Sequence, residues 1–505
     1  MTEAEIKRIV TKSKSTKPGP DDIPMSLLKN NIDLFCPVLT ELCNKSLSAG
    51  HFPCVHKIGK IVPLFKSKDK CELFNYRPIC LLNSISKILE KVMSNRLTLH
   101  FENNNIFVPN QFAYRKGKGT DIANVQFIKK VLEAFDKNQH TISVFLDLTK
   151  AFDCVDHEIL LHKLNHYGIE GNSLNWIKSY LYDRRQFVYL NGKKSTERYI
   201  NIGVPQGSIL GPILFLVYIN DLNQAVLSGD ISLFADDANY YKSGNDCFQL
   251  INIVNYNLKQ LSAWFLANRL SLNYIKSEAM LFSRRNIFFP LPPIVIDNIP
   301  ISYSHSFKFL GLILDTKLNW KKHIQSVRSK LSSACGIFYI IRNKISVSIA
   351  KTIYYGIVYP FLIYCNIIWS SANISSLQTL CATQRKLVRL ILKKGRRTES
   401  TALFNQLKFL KLKDIFTLST SLFVYKTLNN LIDSPINYNI REAGAYNLRN
   451  RPHLQIPNHS SKQSERFLHI KGAKIWNDLP ESIQRSSTIY SFKRNLKKYL
   501  FESYT

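Results

Sequence analysis

The sequence predicts an α+β protein, and three observations carry that prediction. Short β-branched and aromatic runs, such as Thr141-Ile142-Ser143-Val144-Phe145-Leu146, alternate with stretches of helical spacing. A tight acidic turn, Asp236-Asp237, joins two such runs. From about Trp320 onward the pattern becomes mainly helical.

The elements follow in order. Residues 1–20 are basic and polar up to the Lys17-Pro18-Gly19-Pro20 break, and helical periodicity begins around Ile32 and runs to Leu47. Lys60 to Phe65 is an extended apolar run, and a charged loop then leads to Asn75-Tyr76-Arg77-Pro78, where the proline favours extended backbone before it. Ile85 to Leu99 spaces Ile85, Ile88, Leu89, Val92 and Met93 onto one helical face. Thr141 to Leu148 reads as a strand with Ile142, Val144, Leu146 and Leu148 on one side and Phe145 and Asp147 on the other. A helix is expected over His157 to His166, and a hairpin turning at Asn191-Gly192 between Arg184 and Ile202. Gly207 to Leu222 reads as an apolar helix with Pro212 near its start, where the missing N–H does no harm. Asn252 to Leu266 and Leu377 to Leu392 complete the helical expectations.

At 505 residues with 45% hydrophobic and 21% charged side chains, the chain can bury several cores. Its charge is unusual: 68 Lys and Arg stand against 36 Asp and Glu, a net +32, and residues 381–505 hold 23 basic against 8 acidic side chains. An excess of that sign points to a polyanionic partner, nucleic acid before an anionic membrane, although a lysine-rich genome would produce part of it. The 10 cysteines include no CxxC pair and no zinc-finger spacing, so they are read as reduced thiols of an intracellular protein, in the nucleus or the cytoplasm. Thr352 to Trp369 runs 18 residues without a formal charge. Its four tyrosines and Pro360 read as a buried helical stretch, so no membrane partner is expected.

Asp236 and Asp237 sit at the tip of an apolar hairpin, and Asp147 ends a strand that belongs inside a sheet. Strands of that kind, packed side by side, gather three carboxylates at one sheet edge. Like charges so placed repel unless a cation intervenes, and hard divalent ions with oxygen ligands, Mg²⁺ above all, answer that need. Two such ions about 3.5–4 Å apart serve in-line phosphoryl transfer without a histidine base.

Eight stretches, in order and across roughly 300 residues, resemble the polymerase region of non-LTR (LINE-type) retrotransposons. They are Gly19-Pro20-Asp21-Asp22-Ile23-Pro24, Asn75-Tyr76-Arg77-Pro78-Ile79, Asn110-Gln111-Phe112 through Gly119-Thr120, and Phe145 through Asp153. Gly203-Val204-Pro205-Gln206-Gly207-Ser208, Phe234-Ala235-Asp236-Asp237, Asn273-Tyr274-Ile275-Lys276-Ser277 and Phe309-Leu310-Gly311 complete the series. The resemblance implies a right-hand polymerase. Residues 1–50 would be an N-terminal extension, 51–320 fingers and palm with an antiparallel sheet, 321–400 a helical thumb, and 401–505 a basic, mainly helical C-terminal region.

The same resemblance implies roles. Asp147, Asp236 and Asp237, with the backbone carbonyl of Leu148, would hold two Mg²⁺ ions, Mn²⁺ being an alternative. Phe152 would underlie the incoming sugar and collide with a 2′-hydroxyl. Gln206 and Gly207 would lie beneath nucleotide and template, and Arg77, with Lys66, would grip the triphosphate. Lys276 would protonate the departing pyrophosphate. Arg385, Lys386, Arg389, Lys393, Lys394, Arg396 and Arg397 would hold the nucleic-acid backbone. The implied activity is RNA-directed DNA synthesis on an RNA template from a DNA primer or target with dNTPs. The endonuclease domain usual in full-length relatives is expected to be encoded upstream or lost. Two other readings are a catalytically idle nucleic-acid-binding protein and a group II intron-type maturase.

Overall fold

In the computed structural model, residues 1–14, 17–67, 69–286, 290–440 and 454–504 are described. The strands in chain order are β1 (Ile58–Phe65), β2 (Tyr76–Leu81), β3 (His140–Leu146), β4 (Arg184–Leu190), β5 (Lys193–Lys194), β6 (Arg198–Ile200), β7 (Asp230–Phe234) and β8 (Asp237–Gly244). They continue with β9 (Glu278–Phe282), β10 (Ile294–Ile296), β11 (Ile299–Tyr303), β12 (Ser306–Phe309) and β13 (Leu312–Asp315). β1 pairs antiparallel with β2 and parallel with β4, which also carries β5 and β6, so this N-terminal sheet is mixed. The expected turn at Asn191-Gly192 forms with φ of 49° and 80°, the left-handed pair that matches the twist of a two-residue hairpin.

The central sheet runs β10-β11-β9-β3-β8-β7. β3 lies in its middle, antiparallel to both β8 and β9, and every one of its residues is buried. The alternation read from the sequence divides the interior in two. Ile142, Val144, Leu146 and Leu148 join a core with the helices Gly211–Ile219 and Cys247–Ala267. Phe145 joins a second core on the opposite face, built from the helix Thr120–Asp136 and the C-terminal helices. There it stacks on Phe307 with centroids 4.2 Å apart. Burial of each such ring contributes about 2–3 kcal/mol. A strand packed on both faces cannot slip by one residue without exchanging its two sets of side chains, so Asp147, the residue that follows it, is held in register.

The C-terminal part is helical: Lys321–Ile341, Ile374–Ile391, Leu412–Leu428, Leu468–Asn477 and Ile489–Glu502. The uncharged stretch 352–369 is broken rather than continuous. A π-turn at Tyr354–Val358, the short helix Tyr359–Ile363 and a left-handed Cys365 (φ 47°) divide it, and Tyr354 stacks on Phe409 at 4.0 Å. Among the described residues, no helix is long and apolar enough to cross a membrane. One hydrophobic core runs through both 321–400 and 401–504, tied across residue 400 by Gln384, which donates to the Leu410 carbonyl at 3.0 Å and accepts from the Leu412 N–H at 2.9 Å.

The base of this helical part predicts an acid response. His323 is 5% exposed beside Trp369, and its Nδ1 accepts from the Ile313 N–H at 3.3 Å. Burial, and then the charge of Lys330, lower its pKa to about 4. An unfolded chain takes up this proton below about pH 6.5 while the folded one refuses it. Stability therefore falls between pH 6.5 and 4, by about 3 kcal/mol for this group at the lower limit. Urea unfolding of His323→Gln across that window should show a visibly shallower acid limb; an unchanged one refutes the assignment.

Candidate active site

The acidic turn is built by two elements that pin it from opposite sides. β7 and β8 pair as far as Phe234 with Asp237, leaving Ala235 and Asp236 at the tip. Ala235 adopts a left-handed φ of 55°, a conformation that costs a residue with a Cβ about 1–2 kcal/mol. Gln111 holds it there: its side-chain Oε1 accepts from the Ala235 N–H at 3.2 Å and the Ala113 N–H at 3.0 Å. The flanking Asn110 and Phe112 run beside β7, accepting from and donating to Leu233, each at 2.9 Å.

Asp147 arrives from β3. Leu146 pairs with Ala238, so the register continued by one residue sets Asp147 opposite Asp237. Directly opposed residues on antiparallel strands place their Cβ atoms about 5 Å apart. The Asp147 N–H donates to Ser277 Oγ at 3.2 Å, and its carbonyl accepts from Asn273 N–H at 2.8 Å. The bridge between Leu148 and Leu272 thus engages the carbonyls of Asp147 and Ser271, not that of Leu148. Lys276 Nζ lies 3.6 Å from Asp147 Oδ2. Asp147, Asp237 and Lys276 line one cavity of about 70 Å³ together with Phe307 and Leu310.

The carboxylates feel one another. Asp236 is raised above the usual carboxylate range, by burial first and also by the charge of Asp147, while Arg77 and Lys66 pull it back. Asp237, open to solvent on one side, is pushed up to about 6 by partial burial, then by Asp236 and Asp147. Among the described residues no three acidic, histidine or cysteine side chains are closed into ready metal-ligating geometry. The donor chemistry nevertheless fits a hard divalent cation: all-oxygen ligands whose mutual repulsion a cation would relieve.

The remaining sequence candidates divide into those near the acids and those apart. Lys66 follows β1 and its N–H donates to the Asn75 carbonyl at 2.8 Å, while Arg77 projects from β2; their charges both reach Asp236. Phe152 lies in a short 3₁₀ turn, Ala151–Cys154, and stacks on Phe215 at 4.6 Å. Gln206 is engaged within the protein: its Nε2 donates to Asp153 Oδ1 at 2.8 Å and its carbonyl accepts from the Cys80 N–H at 2.7 Å. Gly207, at φ 117°, is needed because a Cβ there would lie 2.7 Å from the Cys80 carbonyl oxygen. The close approach it permits in this structure is to β2. Arg385 and Lys386 are exposed on the helix Ile374–Ile391, and Lys393, Lys394, Arg396 and Arg397 on the loop after it. Arg389 instead closes that loop, donating to the Thr398 carbonyl at 2.9 Å. None of the charges acting on Asp236 or Asp237 comes from this helix.

Sequence reasoning passed over several supporting residues. Glu90 lies fully buried within the helix Ser84–Asn103 and accepts from the amides of Ile209 (2.6 Å) and Leu210 (3.3 Å), fixing the chain just beyond Gln206-Gly207. Burial raises its pKa and the buried Arg184 opposes the shift. An acid adjoining the apolar face of Ile88, Leu89 and Val92 was the available signal. Glu90→Ala should cost about 2–4 kcal/mol, since it leaves the Ile209 and Leu210 amides without their acceptor, and Glu90→Gln should recover part by keeping one acceptor. Equal unfolding midpoints for the Ala and Gln variants would count against that role. Gln111, Ser277 and Asp153 carried no sequence signal beyond their motifs, because what they hold is distant along the chain.

The family described as Reverse transcriptase (RNA-dependent DNA polymerase) matches residues 66–314. The chain is 32% identical over 392 residues to the "Probable RNA-directed DNA polymerase from transposon X-element" of Drosophila melanogaster, covering 76% of this chain and 43% of that protein. It is 29% identical over 404 residues to the RNA-directed DNA polymerase from mobile element jockey of Drosophila funebris, covering 77% and 44%. With the Pol polyprotein from type-1 retrotransposable element R1 of Bradysia coprophila, identity is 27% over 346 residues, covering 67% and 34%. The chain spans less than half the length of these relatives, and the similarity extends well past the family match into the helical part. Paired strands that bring Asp147 to an acidic hairpin thus lie inside a stretch, residues 66–314, that matches the reverse transcriptase family, and the similar proteins are polymerases of non-LTR retrotransposons.

Proposed function

We propose that the chain is the RNA-directed DNA polymerase of a non-LTR retrotransposon, copying element RNA into DNA. The convergence of Asp147, Asp236 and Asp237 through the β3–β8 register and the β7–β8 turn carries this reading. In it, the N-terminal sheet with β1 and β2 serves as fingers, the central sheet as palm, and the helices from Lys321 as thumb. Reverse transcriptases work with divalent cations; here Asp147, Asp236, Asp237 and the Leu148 carbonyl would hold two Mg²⁺. When bound, such ions supply charge neutralisation at the attacking and departing oxygens.

The chain's own groups do the rest. Arg77 and Lys66 hold the triphosphate over the acids, supported by the reach of their charges to Asp236. The primer 3′-hydroxyl oxygen bonds to the α-phosphorus as its proton passes to solvent water, the bond to pyrophosphate breaks, and Lys276 delivers a proton to the departing oxygen. Phe152, backed by Phe215, excludes a 2′-hydroxyl. The exposed Arg385, Lys386, Lys393, Lys394, Arg396 and Arg397 contact the template–primer backbone.

Purified protein with Mg²⁺, an RNA template, a DNA primer and dNTPs should extend the primer. Retardation of RNA in a gel without any incorporation would leave only a nucleic-acid-binding protein. Lys276→Gln should lower single-turnover incorporation about a hundredfold with little change in dNTP affinity. A change confined to affinity would make Lys276 a binding residue instead.

A further inference from the structure

A second, strongly cationic cavity lies at the other end of the central sheet. Its volume is about 540 Å³, and Arg284, Lys317, Lys462 and Arg466 line it together with Asn373 and Ser460. Arg284 follows β9 by two residues, and Phe282 of β9 pairs with Thr141 at the start of β3. Asp147 is six residues further along, so roughly 20 Å separates the cavity from the carboxylates at about 3.3 Å per residue.

The four cations are not neutralised. Arg284 Nη1 donates to the Phe135 carbonyl at 3.2 Å, Lys317 Nζ to Asn286 Oδ1 at 2.6 Å and Arg466 Nη1 to Asn373 Oδ1 at 2.6 Å, all uncharged oxygens. Arg284, Lys462 and Arg466 are exposed and Lys317 is half-buried. Among the described residues, no acidic side chain lines the cavity and none of the four makes an ion pair. Among the described residues nearby, Glu465 pairs with Lys474 at 3.2 Å, and Asp136 and Asp315 are turned onto the loops. Asp136 accepts from Ser460 Oγ at 3.3 Å and the Ser461 N–H at 3.0 Å. Asp315 accepts from the N–H groups of Lys317 (3.2 Å), Asn319 (2.9 Å) and Trp320 (2.8 Å). Four like charges gathered from three separate parts of the chain repel, and an anion is what relieves them. The size suits a nucleotide unit better than a lone inorganic ion, because ligand cavities run about 300–1,000 Å³.

We propose that this cavity is a second nucleic-acid site, which takes the phosphodiester backbone of single-stranded RNA about 20 Å from the catalytic carboxylates. The inference rests on the reading of the chain as a template-copying polymerase. It adds a contact that would hold template outside the catalytic centre, made by the C-terminal segment and the sheet together.

The test is fluorescence anisotropy with a labelled single-stranded RNA of about 30 nucleotides, long enough for several phosphate contacts, without Mg²⁺, across a salt series. The full chain is compared with Lys317→Glu/Lys462→Glu and with a control carrying the same charge change on exposed surfaces elsewhere, Lys12→Glu/Lys259→Glu. The cavity variant should bind at least about tenfold more weakly. Its slope of log affinity against log salt should be shallower by about 0.7 for each lost phosphate contact. Melting temperatures confirm that both variants fold. Equal affinity losses and slopes for cavity and control variants overturn the proposal. So does a cavity that inorganic phosphate stabilises thermally while RNA binding is indifferent to its lysines, which marks a free-anion site. Incorporation by the unaltered chain reports separately on the polymerase reading, since RNA binding needs no dNTP.

Discussion

Asp236→Ala abolishes primer extension, lowering incorporation by at least about a thousandfold, while RNA binding measured without Mg²⁺ stays within about twofold of the unaltered chain. The expectation follows from where the carboxylate sits. It caps a strained turn that Gln111 holds open, and it feels Asp147 on one side and Arg77 and Lys66 on the other. Burial and Asp147 together outweigh the pull of Arg77 and Lys66, so the fold gains nothing net from that charge. Removal should therefore leave the melting temperature unchanged or raise it slightly, as for acids kept at the expense of stability. The decisive measurement pairs single-turnover extension with thermal unfolding. Substantial extension by a folded Asp236→Ala protein would remove the hairpin from the chemistry altogether.

The second large effect concerns the sugar. Phe152→Val is expected to reduce the preference for dNTPs over rNTPs by about a hundredfold or more, mostly through gained rNTP incorporation. The ring stacks on Phe215 and its carbonyl accepts from the Val204 N–H at 2.9 Å, so its position is tied to the turn before Gln206. Valine keeps a branched apolar contact with Phe215, whereas alanine would open a cavity and confuse selectivity with instability. Competing dATP and ATP opposite one template base measures the ratio directly. An unaltered ratio with normal folding would make Phe152 a core ring and nothing more.

Much of the fold was legible in local pattern. Alternation along Thr141 to Leu148 gave both faces of β3 correctly, because a strand's period of two is independent of what packs on it. Asn191-Gly192 announced its turn because few residue pairs tolerate two left-handed conformations in succession. The apolar stretch 352–369 was less legible: its composition reads as one long segment, whereas packing against Phe409 and the bend at Cys365 break it into short helices. The apolar helix expected over Gly207 to Leu222 is shorter, Gly211–Ile219, because residues 207–210 belong to the turn that Cys80 and Glu90 hold.

The candidate site divides in the same way. By itself the sequence determined which groups are candidates: three carboxylates at the ends of apolar strands, an ordered series of motifs, and a large positive charge. Tertiary structure alone decided that Leu146 pairs with Ala238, that Lys276 reaches Asp147, that Gln206 is tethered to Asp153, and that Arg389 closes a loop. It also gathered Arg284, Lys317, Lys462 and Arg466 around one cavity. The reason is physical. Residue type and spacing report what a side chain can do, but hydrogen bonds and charges act over a few ångströms. Only the folded backbone sets which distant residues come within that reach.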